Sequence, residues 1–326
     1  MKSTIDHSLV VAEKKPATAV PQRRRKRWTK TKATPYLLVL PAVLLILLVQ
    51  IGPMVVGIGI SFFQLTRLYI TNWAAAPFAG INNYKVALDF STPIGEKLLQ
   101  SFVVTLLYTI IVVGLCWLIG TSAAVVLQRS FKGKGFIRTL FLMPYALPAY
   151  ASIITWSFLL QRDNGLVNNV LVNNLHLFAE PPFWLLGNNA FTSLAIVAMW
   201  HRWPFAFLMI LAGMQSIPED VYEASAIDGA STWQQIRHIT IGMLKPVNFV
   251  LLLMLFLWTF NDFNTPFVLF GETAPAPANL ISIHIYDNSF LNWNFGLGSA
   301  MSVLMLIFLG VVSGVLLLLN RRSQRA

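Results

Sequence analysis

The chain has 326 residues, of which 56% are hydrophobic and only 11% charged, with a mean hydropathy of +0.63. Soluble domains carry about 25% charged residues, so this composition cannot make a water-facing surface, and its apolar runs are too long for core helices. A polytopic all-α membrane protein remains. Its single cysteine, Cys116, lies inside an apolar run, which excludes a disulfide framework and a cysteine metal site. The five histidines show no metal-ligand spacing.

Residues 1–34 carry ten of the 24 lysines and arginines, including Arg23, Arg24, Arg25, Lys26 and Arg27. With Pro16, Pro21 and little apolar content, the segment reads as a disordered basic tail. Its place before an apolar stretch makes it an orientation signal that touches anionic lipid, rather than a nucleic-acid arm. That apolar stretch is too long for a cleavable signal peptide, and no small-residue cleavage site follows it.

A span needs about 20 mostly apolar residues to cross roughly 30 Å of hydrocarbon. Six segments qualify, over 36–63, 100–127, 138–160, 190–214, 247–269 and 298–319. Pro144 and Pro148 interrupt the third, and a membrane helix tolerates this where neighbours re-satisfy the freed carbonyls. The expected organisation is a tail (1–34), a first helix with its outer loop (35–99), a five-helix core (100–319) containing a cytoplasmic loop (215–246), and a short tail (320–326). Counting Lys and Arg by side with the amino terminus inside gives nineteen against four, Arg202 being within a span. The positive-inside rule then puts both termini in the cytoplasm. The first, third and fifth loops are outward, long and rich in Asn, Pro, Trp and Tyr, as docking or gating surfaces are.

The loop between spans four and five reads QSIPEDVYEASAIDGASTWQQIRHITIGMLKP. Ser216 with Glu219 forms a candidate capping box, with Pro218 inside the first turn. A helix over about 218–227 follows, ended by Gly229 in the left-handed conformation. Ser231 with Gln234 opens a second box and a second helix to about residue 241, and Pro246 leads into span five. The first helix and its turn carry Glu219, Asp220, Glu223 and Asp228 and no base. Anionic lipid repels such a surface, so a knob for a protein partner fits it better than a headgroup-lying amphipathic pair.

Ionisable groups inside spans are costly and point to function. Arg202 lies 12 residues from the inner end of span four and Asp262 15 from that of span five. At 1.5 Å per residue both are about 18–22 Å deep, close enough in depth to pair. Whether such a pair is structural or lines a pore is left open. Trp258, Asn261, Phe263 and Asn264 surround Asp262, and stacking faces beside amides suit a neutral polyhydroxylated ligand. Belt anchoring is the alternative for these aromatics. Tyr145, between the two prolines of span three, is a further candidate, and His201 beside Arg202 reads as local packing.

The run Glu223-Ala224-Ser225-Ala226-Ile227-Asp228-Gly229-Ala230, with Ile239 and Pro246 downstream, resembles the EAA loop of permease subunits of binding-protein-dependent ABC importers. The stretches WHRWPFAFLMILAGMQSIP (200–218), FAGINNYKVAL (78–88), Pro144–Leu147 with NGLVN (164–168) and WTFNDFN (258–264) resemble the carbohydrate-importing, maltose-transporter branch. Ser225 stands where the family has Ala, Ile241-Gly242 where it commonly has Leu-Pro, and Ile236 where it usually has Phe.

The resemblance implies the ABC importer permease fold and a coupling loop that docks on a cytoplasmic ATPase, with Glu223, Ala224, Ser225, Asp228, Gly229 and Ala230 as its knob. It also implies a second permease, two ATPase copies, an extracytoplasmic solute-binding protein and uptake of a sugar or related polyol. The residues agree that energy comes from elsewhere: Gly133-Lys134-Gly135 lacks the hydroxyl residue and spacing of a phosphate-binding loop. ATP is thus expected on the partner, with no cofactor, metal or catalytic residue on this chain. An ion-gradient-driven secondary transporter is the other reading; it predicts internal repeats, and residues 36–160 and 190–319 show no convincing similarity.

Overall fold

The computed structural model describes residues 34–128 and 131–323, so the basic tail, Arg129 and the end of the carboxyl-terminal tail lie outside the described residues. The chain divides into two compact units, residues 1–53 and 54–326, and the division falls inside the first span. Among the described residues, structure is helical, with only two isolated β-bridges. Five helices are long and apolar enough to cross a membrane, and six if one sharply bent pair crosses as a single span.

The first span is Tyr36–Ile60 (α1), with a widened turn at Leu47–Ile51. In the second unit follow a short helix Asn82–Leu88 (α2), the second span Pro93–Gln128 (α3), and the pair Lys134–Ala146 (α4) and Ala149–Leu159 (α5), bent by 91°. The fourth span is Asn189–Met214 (α6). The loop between the fourth and fifth spans folds as Glu219–Ile227 (α7) and residues 232–243 (α8), the latter widened over Gln235–Thr240. Lys245–Phe260 (α9) and Asn264–Phe270 (α10) share the fifth span, Ile281–Tyr286 (α11) lies between the fifth and sixth spans, and Phe295–Ser323 (α12) ends the described chain.

The main core is where α3, α6 and α9 meet. Tyr108, Val112, Cys116 and Ala124 of α3 pack with Leu194, Ala198, Ala206 and Phe207 of α6 and with Leu251 and Leu255 of α9, all buried. Lipid is as apolar as leucine, so spans associate through close packing at small residues and through interhelical hydrogen bonds. Both devices operate here. A Cβ placed on Gly120 would stand 2.6 Å from the Cβ of Ala206, so glycine is what lets α3 approach α6. The Trp117 indole N–H of α3 donates to Asn248 Oδ1 of α9 at 2.9 Å.

At the other end, the loops interlock. Thr66 bridges to Asn294, the Arg67 guanidinium lies 5.7 Å over the Trp293 ring, and Asn83 Nδ2 donates to the carbonyls of Ser61 and Phe63. Arg162 covers the Phe183 ring at 4.1 Å and donates from Nε to the Pro181 carbonyl. Both cations keep an aromatic face, which satisfies charge without burying it among aliphatics.

The fifth span runs over Lys245–Phe270 with an interruption inside it: α9 stops at Phe260, and Asn261–Phe263 form a break before α10. One expectation needs correction: the first capping box is not made. Pro218 takes the N-cap position with no side-chain cap, because the Ser216 hydroxyl turns back to donate to the Gly213 carbonyl at 2.7 Å. The second box is formed as read: Ser231 N–H donates to Gln234 Oε1 at 2.7 Å and Gln234 N–H to Ser231 Oγ.

Candidate functional site

The break in the fifth span positions Asp262, whose side chain is 4% exposed. A carboxylate so placed needs a counter-charge and partners for both oxygens. Oδ2 lies 2.7 Å from Arg202 Nη2 of α6 and accepts the Tyr108 hydroxyl of α3 at 2.6 Å. Oδ1 accepts the Thr265 N–H at 3.1 Å, in the first turn of α10. Arg202 Nη1 donates further to the Ala198 carbonyl. The two intramembrane charges therefore do pair, and Tyr108, which the sequence did not single out, completes the cluster.

This cluster forms one wall of a cavity of about 270 Å³ lined by Tyr145, His201, Arg202, Phe205, Trp258, Asp262 and Asn264, with aliphatic residues between them. Tyr145 lies 6.1 Å from Phe205, and Phe205 lies 4.9 Å from Trp258, ring centre to ring centre, so aromatic faces run along it. Asn264 is held by the Tyr150 hydroxyl, which donates to its Oδ1 at 2.8 Å and joins α5 to α10. Tyr145, Arg202, Trp258, Asp262 and Asn264 are thus brought together. Asn261 and Phe263 are not. They line a larger, mainly apolar groove of about 760 Å³ with Ile285, Tyr286 and Leu309, since successive residues of the break face different ways.

The loop between α6 and α9 is built as a rigid pair. Gly229 has φ +82°, the Ala230 N–H bonds to the Ser225 carbonyl and the Gly229 N–H to that of Ala226; this is a Schellman end, which requires the left-handed residue. Ser225, the departure from Ala, earns a role here: Gln235 Nε2 of α8 donates to its Oγ at 2.9 Å. Tyr222 and Thr240 share a second hydroxyl bond at 3.0 Å across the pair. Glu223, Ala224, Asp228 and Gly229 are exposed, Ser225 and Ala230 half-buried, while Val221, Tyr222 and Ile239 pack on the core. Ile227 is 87% exposed at the tip, and a cleft of about 390 Å³ opens between the helices beside Asp228, Gly229 and His238.

A third concavity, about 350 Å³, lies between α3 and the segment joining the fifth and sixth spans and is lined by Lys97, Asn279, His284, Asp287 and Asn288 among others. Burial, and then Lys97, push His284 down to about 4, while burial raises the Asp287 carboxyl. Asn288 Nδ2 donates to the His284 carbonyl at 2.8 Å and faces His284 Nε2 at 3.3 Å, as suits a neutral ring. Among the described residues, no group of three His, Cys, Asp or Glu could hold a metal ion.

Known proteins share this architecture. The chain is 32% identical over 273 residues to the trehalose/maltose transport system permease protein MalF of Thermococcus litoralis, covering 83% of this chain and 88% of that protein. It is 31% identical over 302 residues to the trehalose transport system permease protein SugA of Mycobacterium tuberculosis, covering 92% of each. Its fold matches a chain of a bacterial ABC transporter involved in import of the acidic polysaccharide alginate, with a TM-score of 0.72 over 89% of this chain and 95% of that one at 19% identity. The same kind of chain, in a complex with an alginate pentasaccharide-bound periplasmic protein, matches with a TM-score of 0.71. The family model described as binding-protein-dependent transport system inner membrane component matches residues 117–325. With nearly two thirds of its length inside that model, the chain belongs to the family of binding-protein-dependent transport system inner membrane components.

Proposed function

We propose that this chain forms, with a second permease, the membrane path of an importer for a neutral sugar or related polyol, and that the solute passes through the 270 Å³ cavity. Family membership makes it a multi-pass permease component rather than an enzyme, and sets aside the ion-gradient-driven reading. The observation that carries the proposal is the lining itself. Phe205, Trp258 and Tyr145 offer stacking faces, and Asn264 and His201 offer hydrogen bonds, while the one ion pair is internally neutralised. A polyhydroxylated, uncharged solute matches such a wall, and the relatives named above are trehalose and maltose permeases.

The remaining assignments follow the same reading. Both termini face the cytoplasm, as the nineteen-to-four charge asymmetry favours. The exposed, base-free surface of α7 docks on a cytoplasmic ATPase, two copies of which hydrolyse ATP for the pair; Glu223 and Asp228 meet basic groups there. An extracytoplasmic solute-binding protein delivers the sugar to the interlocked outer loops.

The test is purification of the tagged chain in mild detergent, identification of its companions by mass, and reconstitution of that complex in liposomes. ATP-dependent accumulation of labelled trehalose or maltose, delivered by the co-expressed binding protein, is the expected result. A lone chain that moves solute without nucleotide would overturn the reading.

A further inference from the structure

Pro148 leaves one backbone carbonyl of the third span without its ordinary partner. In a continuous helix the Pro144 oxygen accepts from the N–H four residues on, and residue 148, a proline, has none. His201 supplies the missing donor from α6, its Nδ1 lying 3.1 Å from the Pro144 oxygen. A carbonyl can only accept, so Nδ1 carries the proton. In the neutral form of that ring Nε2 is a bare acceptor.

That acceptor belongs to a ring that lines the cavity. Among the described residues Nε2 makes no hydrogen bond, whereas several neighbouring polar atoms are taken: both Asp262 oxygens, two Arg202 nitrogens and Asn264 Oδ1 have partners. Tyr145, the residue after Pro144, faces the same ring at 6.2 Å between centres. One imidazole therefore touches the break in span three with Nδ1, and the same residue lines the cavity.

We propose that His201 is a two-ended positioning residue: Nδ1–H holds the break at Pro144, and Nε2 accepts a hydroxyl of the transported solute, so that occupancy of the cavity and geometry of the break are joined through one ring. The inference rests on the cavity being the path of a polyhydroxylated solute. A hydroxyl donated to Nε2 polarises the ring and strengthens its Nδ1–H donation, as hydrogen bonds in series do. An emptied cavity weakens the tie and loosens the break.

Uptake kinetics of the reconstituted complex test this with three variants that divide the two ends. His201→Asn keeps a donor near the Nδ1 position and removes the cavity acceptor; His201→Gln places an amide near the Nε2 position and gives up the Pro144 bond; His201→Phe keeps the ring volume and loses both. A net hydrogen bond is worth about 1 kcal/mol, or roughly fivefold. His201→Asn should raise KM about fivefold with Vmax held within about twofold, His201→Gln should lower Vmax with a smaller rise in KM, and His201→Phe should do both. Phe giving the parental KM and Vmax would make the ring a space-filler and overturn the inference while leaving sugar transport standing. So would three variants that lose assembled complex in parallel with no split between KM and Vmax. Failure of the parental complex to move any sugar would remove the path itself, and the inference with it.

Discussion

Arg202 and Asp262 stand 60 residues apart in sequence and 2.7 Å apart in space, on two different spans, with the Tyr108 hydroxyl of a third span closing on the same carboxylate oxygen. Removing one partner of a buried pair strands the other, at a cost of about 3–5 kcal/mol. Arg202→Leu and Asp262→Leu should each lower the thermal midpoint of the detergent-solubilised complex by several degrees. The exchange of the two, Arg202→Asp with Asp262→Arg, should recover only part of that loss. The reversed pair would set a guanidinium against the Thr265 N–H and the Tyr108 hydroxyl, which point at an acceptor. Full recovery would show that these two donors contribute nothing.

Gly229 at φ +82° has nothing within 4 Å of where a Cβ would stand, so a substitution there is limited by backbone strain and not by crowding. A side chain in the left-handed region costs about 1–2 kcal/mol, least for Asn and most for β-branched residues. Gly229→Val should leave the permease assembled but sever sugar uptake from ATP hydrolysis, while Gly229→Asn keeps them joined. Measuring uptake and phosphate release on the same liposomes checks this, and equal coupling in both variants would detach the turn from energy transfer.

Two glycines of α3 separate a helix contact from a helix surface. A Cβ on Gly120 meets Ala206, whereas one on Gly114 meets nothing within 4 Å. Overpacking costs about 1–3 kcal/mol, so Gly120→Ala should reduce the yield of folded, monodisperse protein in fluorescence-detected size exclusion. Gly114→Ala should be neutral or slightly better, since alanine favours the helix by up to about 1 kcal/mol.

His284 is depressed from its ordinary 6.5 to about 4 by burial and by Lys97. With a base whose folded value lies below its unfolded one, the unfolded chain takes up the proton first. Stability is therefore full above about pH 6.5 and falls as pH drops towards 4, by on the order of 3 kcal/mol. The raised Asp287 carboxyl acts in the opposite direction over the acid range and blunts the loss. Thermal midpoints measured from pH 7.5 to 4.5 should fall for the parent and flatten for His284→Gln. Parallel curves would assign the acid sensitivity elsewhere.

Hydropathy alone revealed the spans, because a run such as 298–319 has no other stable home, and the similar depths of Arg202 and Asp262 allowed a pair without fixing one. Gly229 marked its turn because few residues tolerate that conformation. Tyr108 was hidden, since a tyrosine in an apolar run carries no sign of the partner that its hydroxyl meets 154 residues away. The break at Asn261–Phe263 was hidden too: an average over about 20 residues smooths a three-residue interruption. Its consequence, that Asn261 and Phe263 leave the cavity that Asp262 and Asn264 line, depends on backbone direction and not on residue type. Ser216 misled because its hydroxyl had a nearer acceptor in the helix behind it than in the helix ahead.

Spans two, four and five are tied to one carboxylate oxygen, so moving any of them apart breaks a buried polar contact. A gate in such a protein needs a joint, and this ion cluster resists one between those three helices. A joint outside the cluster is Leu147–Pro148, where α4 and α5 already meet at 91° and no continuous ladder of backbone bonds resists a change of angle. A cysteine pair placed across that elbow should therefore report the transport cycle, while one placed between the tied spans should stay silent.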